Sequence, residues 1–173
     1  MKYDLVVCHL NEDDPKKCTA KKLAKFGMAR LVKHTKMIPR RYLLLSPFSK
    51  KALSPEDKNF GGIAAVDCSW KNAEVVFSKI KNENTRALPY LIAANNVNYG
   101  KPMRLTTAEA FAASLYILGD VEGADMLMSK FKWGPHFLEL NKEPLERYRN
   151  AKTSMEVVSI MEDYLPPDWR LKS

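Results

Sequence analysis

The chain has no apolar run near the ~18 residues that a membrane-crossing helix needs, so no membrane partner is expected. It has only three cysteines, Cys8, Cys18 and Cys68, an odd number with no CxxC pair. That usage fits reduced thiols and a cytoplasmic protein. The three histidines, His9, His34 and His136, are scattered. His9 beside Cys8, with Cys18 further along, lacks the tight ligand pairs of structural zinc, so no metal site is expected. GxSxG, P-loop and GxGxxG motifs are all missing, which leaves common hydrolase, NTPase and dinucleotide readings without support. There is no internal repeat and no low-complexity segment. The short apolar stretch near the N-terminus runs into acids, which marks a first strand rather than a signal peptide.

Acidic residues are also in deficit: 28 Lys and Arg against 20 Asp and Glu leave a net charge of +8. A basic surface of that size favours a polyanionic partner, RNA above all in the cytoplasm. The plainer alternative is a solvated Lys-rich surface.

What is present is an ordinary globular composition, 46% hydrophobic and 28% charged over 173 residues. That suits one domain or two small lobes sharing a core. Strands are expected at Tyr3–Leu10, Tyr42–Leu45, Ile63–Val66 and Leu88–Ala94, each short and apolar. Thr19 reads as the N-cap of a helix carrying Leu23, Phe26 and Leu31 on one stripe. Glu12-Asp13-Asp14-Pro15 reads as a turn, Met37–Arg41 as a basic connector, and Ser54-Pro55 as a helix start. A helix is expected over Asn72–Lys81 with Val75, Val76 and Ile80 inward. Thr106 and Glu109 have capping-box spacing and start a helix over Thr107–Leu118, apolar nearly all round and therefore buried. Further helices are expected at Ala124–Phe131, Pro144–Asn150 and Thr153–Leu165, the last with a second capping box at Thr153 and Glu156. Trp133-Gly134-Pro135-His136 reads as a turn between them. Strands early, helices late and alternation between give an α/β class.

Two junctions concentrate chemistry. Arg86 to Glu109 reads as a strand end, a loop rich in Asn, Tyr, Gly and Pro, and a helix start. Val66-Asp67-Cys68-Ser69-Trp70 ends another apolar strand. Together they suggest one pocket at the carboxyl edge of the sheet. Asp67 there is a general base, a binder of a cationic group, or a cap for the following segment. Trp70 offers an indole face to a base or a cation such as a sulfonium, or is a rim aromatic. Thr19 and Thr107 lie at helix starts, where backbone N–H groups attract a carboxylate or phosphate, or are plain caps.

Four segments, HLNEDDPKKCTAKKL, VDCSW, RALPYLIAANNVNYGKP and LMSKFKWGPHFLELN, resemble the small-subunit rRNA aminocarboxypropyltransferases. These are ribosome-biogenesis enzymes of archaea and eukaryotes. The resemblance covers His9 to about Tyr164. The N-terminal segment is also similar to the start of the RNase L inhibitor ATPase, whose further cysteines and P-loops are missing here. The resemblance implies a small N-terminal α/β part, 1–83, followed by a SPOUT-like trefoil-knotted part, 84–173, with a helical C-terminal third. It implies S-adenosylmethionine as cofactor, and transfer of its 3-amino-3-carboxypropyl (acp) group to N3 of N1-methylpseudouridine, with 5′-methylthioadenosine leaving. By motif position, Leu45, Pro47 and Leu88 pack the adenine. Backbone at Val66, Leu88 and Met103 meets its edges or the ribose. Trp70 and Ala73 bury the methyl group, and Thr19 and Thr107 take the carboxylate. Asp67 holds the α-amino group or takes the uridine proton. Arg30, Lys50, Lys51, Lys71, Arg104, Lys130 and Lys132 are the candidate rRNA phosphate contacts. Two positions depart from the family pattern: Asn96 stands for a proline, and Met103 where an aromatic is common. The expected partner is small-subunit rRNA and the expected state a monomer. The rival functions are a SPOUT-type RNA methyltransferase and a non-catalytic rRNA-binding assembly factor.

Overall fold

Among the described residues, three short apolar runs and two more polar edge segments build a sheet of five strands. These are β1 (Asp4–His9), β2 (Arg30–Val32), β3 (Leu43–Leu45), β4 (Gly62–Asp67) and β5 (Thr85–Arg86). The computed structural model describes residues 1–10 and 18–169, so the turn expected at Glu12-Asp13-Asp14-Pro15 and the end of the tail fall outside it. The strand order is β2-β1-β4-β3-β5, and every pairing is parallel. The inner strands β1, β4 and β3 are covered on both faces, which is why they read as near-continuous apolar runs. Leu5 and Val7 of β1 enter one core while Val6 and Cys8 enter another on the opposite face.

Helix α1 (Thr19–Lys25) covers the first face through Ala20 and Leu23. Helix α2 (Trp70–Ser78) is tied to the second through Phe77. The first face also takes α3 (Thr107–Ile117), of which nine of eleven residues are buried. Burying a Leu or Phe side chain is worth about 1.5–3 kcal/mol, so packing rather than helix propensity holds α3. Around it gather α4 (Val121–Met128), α5 (Gly134–Leu140), α6 (Lys142–Arg149) and α7 (Ser154–Met161). The first core runs unbroken from Tyr3 to Val157, and β5, just past residue 83, pairs with β3. Among the described residues no helix is long and apolar enough to cross a membrane.

Several local expectations are corrected. Leu88–Ala94 is not a strand: the sheet ends at Arg86, and only Ala87 and Ile92 make isolated bridges, to Ala52 and Pro102. Its backbone is satisfied partly across the loop, Ala93 N–H to the Lys101 carbonyl and Met103 N–H to the Leu91 carbonyl, and partly by side chains. Tyr148 donates to the Tyr90 carbonyl at 2.9 Å, and Asn141 bonds both the N–H and C=O of Ile92 at 2.8 Å. The stripe Leu23–Phe26–Leu31 breaks after Leu23, because α1 stops at Lys25 and Gly27 turns the chain with φ +72°. Residues 30–32 then form an edge strand that leaves Leu31 partly exposed. Cys18, not Thr19, is the N-cap of α1. In α2 the inward row is Ala73 and Phe77, continued by Ile80, while Val75 faces solvent. Pro55 begins a single 3-10 turn, Pro55–Asp57. Thr153 caps α7, but Glu156 reaches back to the N–H of Lys152 rather than closing a second capping box. Trp133–His136 is not a plain turn, since α5 begins at Gly134 with Pro135 in its first turn, where a missing N–H costs nothing.

Gly134 is required by close approach: a Cβ there would collide with the Met128 carbonyl. Gly134→Ala is expected to destabilise by about 2–3 kcal/mol through overpacking, whereas Gly61→Ala, with open space around it, stays near neutral in the same denaturation experiment. Burial pushes the Tyr148 hydroxyl well above its ordinary range, with Tyr164 adding to it. Tyr116 is pushed up to about 12, by burial first and then by Glu146. A raised folded-state value favours the protonated form, so this stability is whole below the unfolded value near ~10 and is lost as pH rises through the folded one. The denaturation midpoint is therefore expected to hold steady to about pH 9 and fall above about pH 10, with the tyrosinate absorbance of Tyr116 and Tyr148 appearing only as the chain unfolds.

Candidate functional site

The strand order places β1 next to β4, while their following helices lie on opposite faces. This is a topological switch point, and ligands of open α/β sheets bind outside the carboxyl ends of strands at such points. Beside that point, at the carboxyl ends of β3 and β4, opens a cavity of about 260 Å³, at the small end for a small-molecule site.

Its walls come from both junctions singled out in the sequence. Leu45 and Pro47 close the end of β3, and Val66 the end of β4. Trp70 and Ala73 come from the first turns of α2. Leu88 and Met103 come from the loop, and Thr107 from the start of α3. Eight of the ten expected cofactor residues thus share one cavity. The other two lie beside it. Thr19 is buried, and its Oγ1 accepts the Ala108 N–H at 3.1 Å, tying α1 to the start of α3. Asp67 sits between two wall residues, Val66 and Cys68, and its Oδ2 lies 3.5 Å from Cys18 Sγ and 3.7 Å from His9 Nε2.

Sequence reasoning missed Ser46, Ala65, Phe77, Leu105 and Ala110, which also line the cavity. The signal was available in part. Phe77 is one helical turn beyond Ala73, and Ala110 one turn beyond Thr107. Trp70 is 61% exposed, so it is a rim residue rather than core, and the Arg104 guanidinium lies 5.9 Å from its ring centre. Met103 holds φ +60°, which an unbranched side chain tolerates better than a β-branched one.

A buried carboxylate organises the loop. Glu109 has no exposed surface and accepts four hydrogen bonds. They come from the Ala94 N–H (2.7 Å), Asn95 Nδ2 (2.7 Å), the Thr106 N–H (2.9 Å) and the Thr106 hydroxyl (3.1 Å). Asn95 in turn accepts from the N–H groups of Val97 and Asn98. Loop and helix start are therefore one hydrogen-bonded unit. The cysteines form no disulfide. Burial pushes the Cys18 thiol up, and the Asp67 carboxylate adds to it.

The expected rRNA contacts are dispersed. Arg30 pairs with Asp4 and Lys51 with Glu56, each at 2.8 Å. Lys50, Lys71 and Lys132 are exposed. Lys71 follows Trp70 in α2, and Arg104 faces it, so these two stand near the cavity rim. Lys130 lies 5.6 Å from the Phe26 ring centre, on another part of the surface.

Residues 43–165 match a family model described as ribosome biogenesis protein, C-terminal. The chain is 51% identical over 163 residues to a 16S rRNA aminocarboxypropyltransferase of Methanosarcina mazei, covering 93% of this chain and 94% of that one. A protein of the same name from Methanocaldococcus jannaschii is 51% identical over 164 residues, covering 93% and 95%. The chain belongs to this family. A solved structure, the SAM-dependent rRNA:acp-transferase Tsr3 from Vulcanisaeta distributa, aligns with TM-score 0.84 at 39% identity over 95% of this chain and 96% of that one. Residues 3–36 also match a possible Fer4-like domain of the RNase L inhibitor. A four-iron cluster takes four thiolates, whereas the whole chain has three cysteines, and Cys8 and Cys18 enter opposite cores. The residues do not fit such a cluster.

Glu109→Gln turns one acceptor oxygen into an NH₂ group facing N–H donors. It is expected to cost about 1.5–3 kcal/mol and to speed amide exchange at Ala94 and Thr106. Unchanged exchange at both would remove Glu109 as the organiser of the loop.

Proposed function

We propose that this protein transfers the acp group of S-adenosylmethionine to a modified uridine of small-subunit rRNA, at N3 of N1-methylpseudouridine. The observation that carries the reading is the single cavity shared by Leu45, Pro47, Val66, Trp70, Ala73, Leu88, Met103 and Thr107, in a chain half identical to proteins named for that reaction. Bound S-adenosylmethionine supplies a sulfonium whose three attached carbons are all open to attack. The protein decides among them by position alone.

The side chains suit that task. Leu45, Pro47 and Leu88 give apolar surface for an adenine. Trp70 offers a π face to a cation, and Ala73, small and buried, leaves room for a methyl group beside it. Thr107 and the Thr19 hydroxyl, already fixed by the Ala108 N–H, stand where a carboxylate would be received at the start of α3. We assign Asp67 the α-amino group or the uridine N3 proton. Its support is its place between two wall residues at the end of β4. Lys71 and Arg104 near the rim, then Arg30, Lys50, Lys51, Lys130 and Lys132, are assigned to rRNA phosphates. The same reading includes the trefoil knot, a division near residue 83, and a cytoplasmic monomer. Support for the first is the chain's place in this family.

The test is calorimetric titration with S-adenosylmethionine, followed by mass spectrometry of the small product after incubation with small-subunit rRNA. Release of 5′-methylthioadenosine is expected. S-adenosylhomocysteine instead makes the protein a methyltransferase, and failure to bind leaves an assembly factor. Trp70→Ala is expected to weaken cofactor binding about 10-fold, the loss of about 1–2 kcal/mol of cation–π attraction. Asp67→Asn is expected to depress turnover, and full activity in that variant would exclude the role as base for the uridine N3 proton.

A further inference from the structure

The second feature at the switch point is a cluster rather than a cavity. His9 ends β1, Asp67 ends β4, and the two are register partners on adjacent strands. Cys18 is the N-cap of α1. One donor atom from each lies within 4.8 Å of the others. The sequence reading expected no metal because His9, Cys8 and Cys18 lack tight ligand pairs; the third donor lies 49 residues beyond Cys18, and only the β1–β4 pairing brings it in.

The triangle has edges of 3.1 Å between His9 Nε2 and Cys18 Sγ, 3.5 Å between Cys18 Sγ and Asp67 Oδ2, and 3.7 Å between His9 Nε2 and Asp67 Oδ2. Tetrahedral zinc, with bonds of about 2.0–2.3 Å to N, O and S, sets its ligands ~3.4–3.6 Å apart. The observed edges bracket that spacing, so an ion capping the triangle needs only small side-chain adjustments. Cys18 and His9 are 3–5% exposed, and a divalent cation with neutral imidazole balances the two negative charges that thiolate and carboxylate bring on binding. The mixed N, S and O set suits a borderline ion of the zinc class. All three donors sit on element ends held by the sheet or by α1, the rigid placement that metal sites need.

We infer that His9, Cys18 and Asp67 form a mononuclear site for a zinc-class divalent cation, with the fourth position left to water. The inference goes beyond the proposed function. The thiol proton leaves to solvent on binding, and the ion fastens the start of α1 to the carboxyl ends of β1 and β4 beside the cofactor cavity.

The experiment is titration of chelator-stripped wild-type protein with Co²⁺, followed by displacement with Zn²⁺. One equivalent of cobalt with a thiolate-to-cobalt charge-transfer band, bleached by Zn²⁺, is expected. The thermal midpoint is expected to rise with Zn²⁺. Loss of an outer-shell partner alone costs about 10–100-fold in affinity, so Cys18→Ser should exceed about 100-fold. Cys8→Ser, altering a cysteine that faces the other core, should keep the band. The wild-type titration decides without any variant: folded protein that gives no thiolate band at millimolar cobalt overturns the site, as does a band that survives in Cys18→Ser. S-adenosylmethionine calorimetry on the same preparation separates the two proposals. Cofactor binding without a cobalt band rejects the metal site alone, and a band without cofactor binding rejects the proposed function alone.

Discussion

Glu109 is a carboxylate with no contact with water, and the cavity depends on it. Its four donors are spread over both ends of the loop, Ala94 and Asn95 on one side and Thr106 on the other. A loop of this composition has no sheet or helix of its own to satisfy its backbone. Buried unpaired N–H groups would each cost of order 1–3 kcal/mol. One charged acceptor at the start of α3 takes two of them and a side-chain amide as well. Leu88 and Met103, on the two arms of that loop, reach the cavity from the same pinned segment. Asn141 and Tyr148 hold the incoming arm in the same way. The helical C-terminal third therefore acts on the site from behind, by supplying hydrogen bonds rather than cavity surface.

The parallel sheet contributes a second constraint. The neighbours β1 and β4 send their connections to opposite faces, which marks the carboxyl edge of the sheet as a ligand-binding edge, and the cavity opens there at the ends of β3 and β4. Two different chemistries occupy that edge. Toward β3 it is an apolar cavity roofed by the loop. Toward α1 it is the polar triangle of His9, Cys18 and Asp67. Asp67 belongs to both neighbourhoods by position, with wall residues on either side of it in the chain. Thr19 makes a similar bridge, following Cys18 in the triangle while accepting a hydrogen bond from α3.

Much of the local structure was legible because it rests on short-range rules. The Thr106–Glu109 capping box and the all-round apolar helix after it were read correctly, since both depend on residues three or four apart. β1, β3 and β4 were legible as apolar runs, whereas the edge strands were not: β2 exposes Arg30 and Leu31, and β5 is only Thr85–Arg86. Leu88–Ala94 was misread because an apolar run flanked by turn residues looks the same whether its partner is a strand or a set of side chains. Val75 was placed inward because periodicity allows two phases over so short a helix, and Ala73 rather than a larger residue marks the true buried face. The cavity wall was legible mainly through the family resemblance, whose motifs mark the segments but not every side chain that faces inward.

The sequence by itself determined the α/β class, the family, the two junctions that carry the chemistry and the capped start of α3. Each follows from neighbours in the chain or from motifs that are contiguous in it. Only the tertiary structure decided that both junctions open on one cavity, that Glu109 also binds Ala94 and Asn95 across the loop, and that His9, Cys18 and Asp67 meet. These depend on strand order and on which face each helix covers. Pairing between distant strands is a choice among global packings, and no local pattern of residues specifies it.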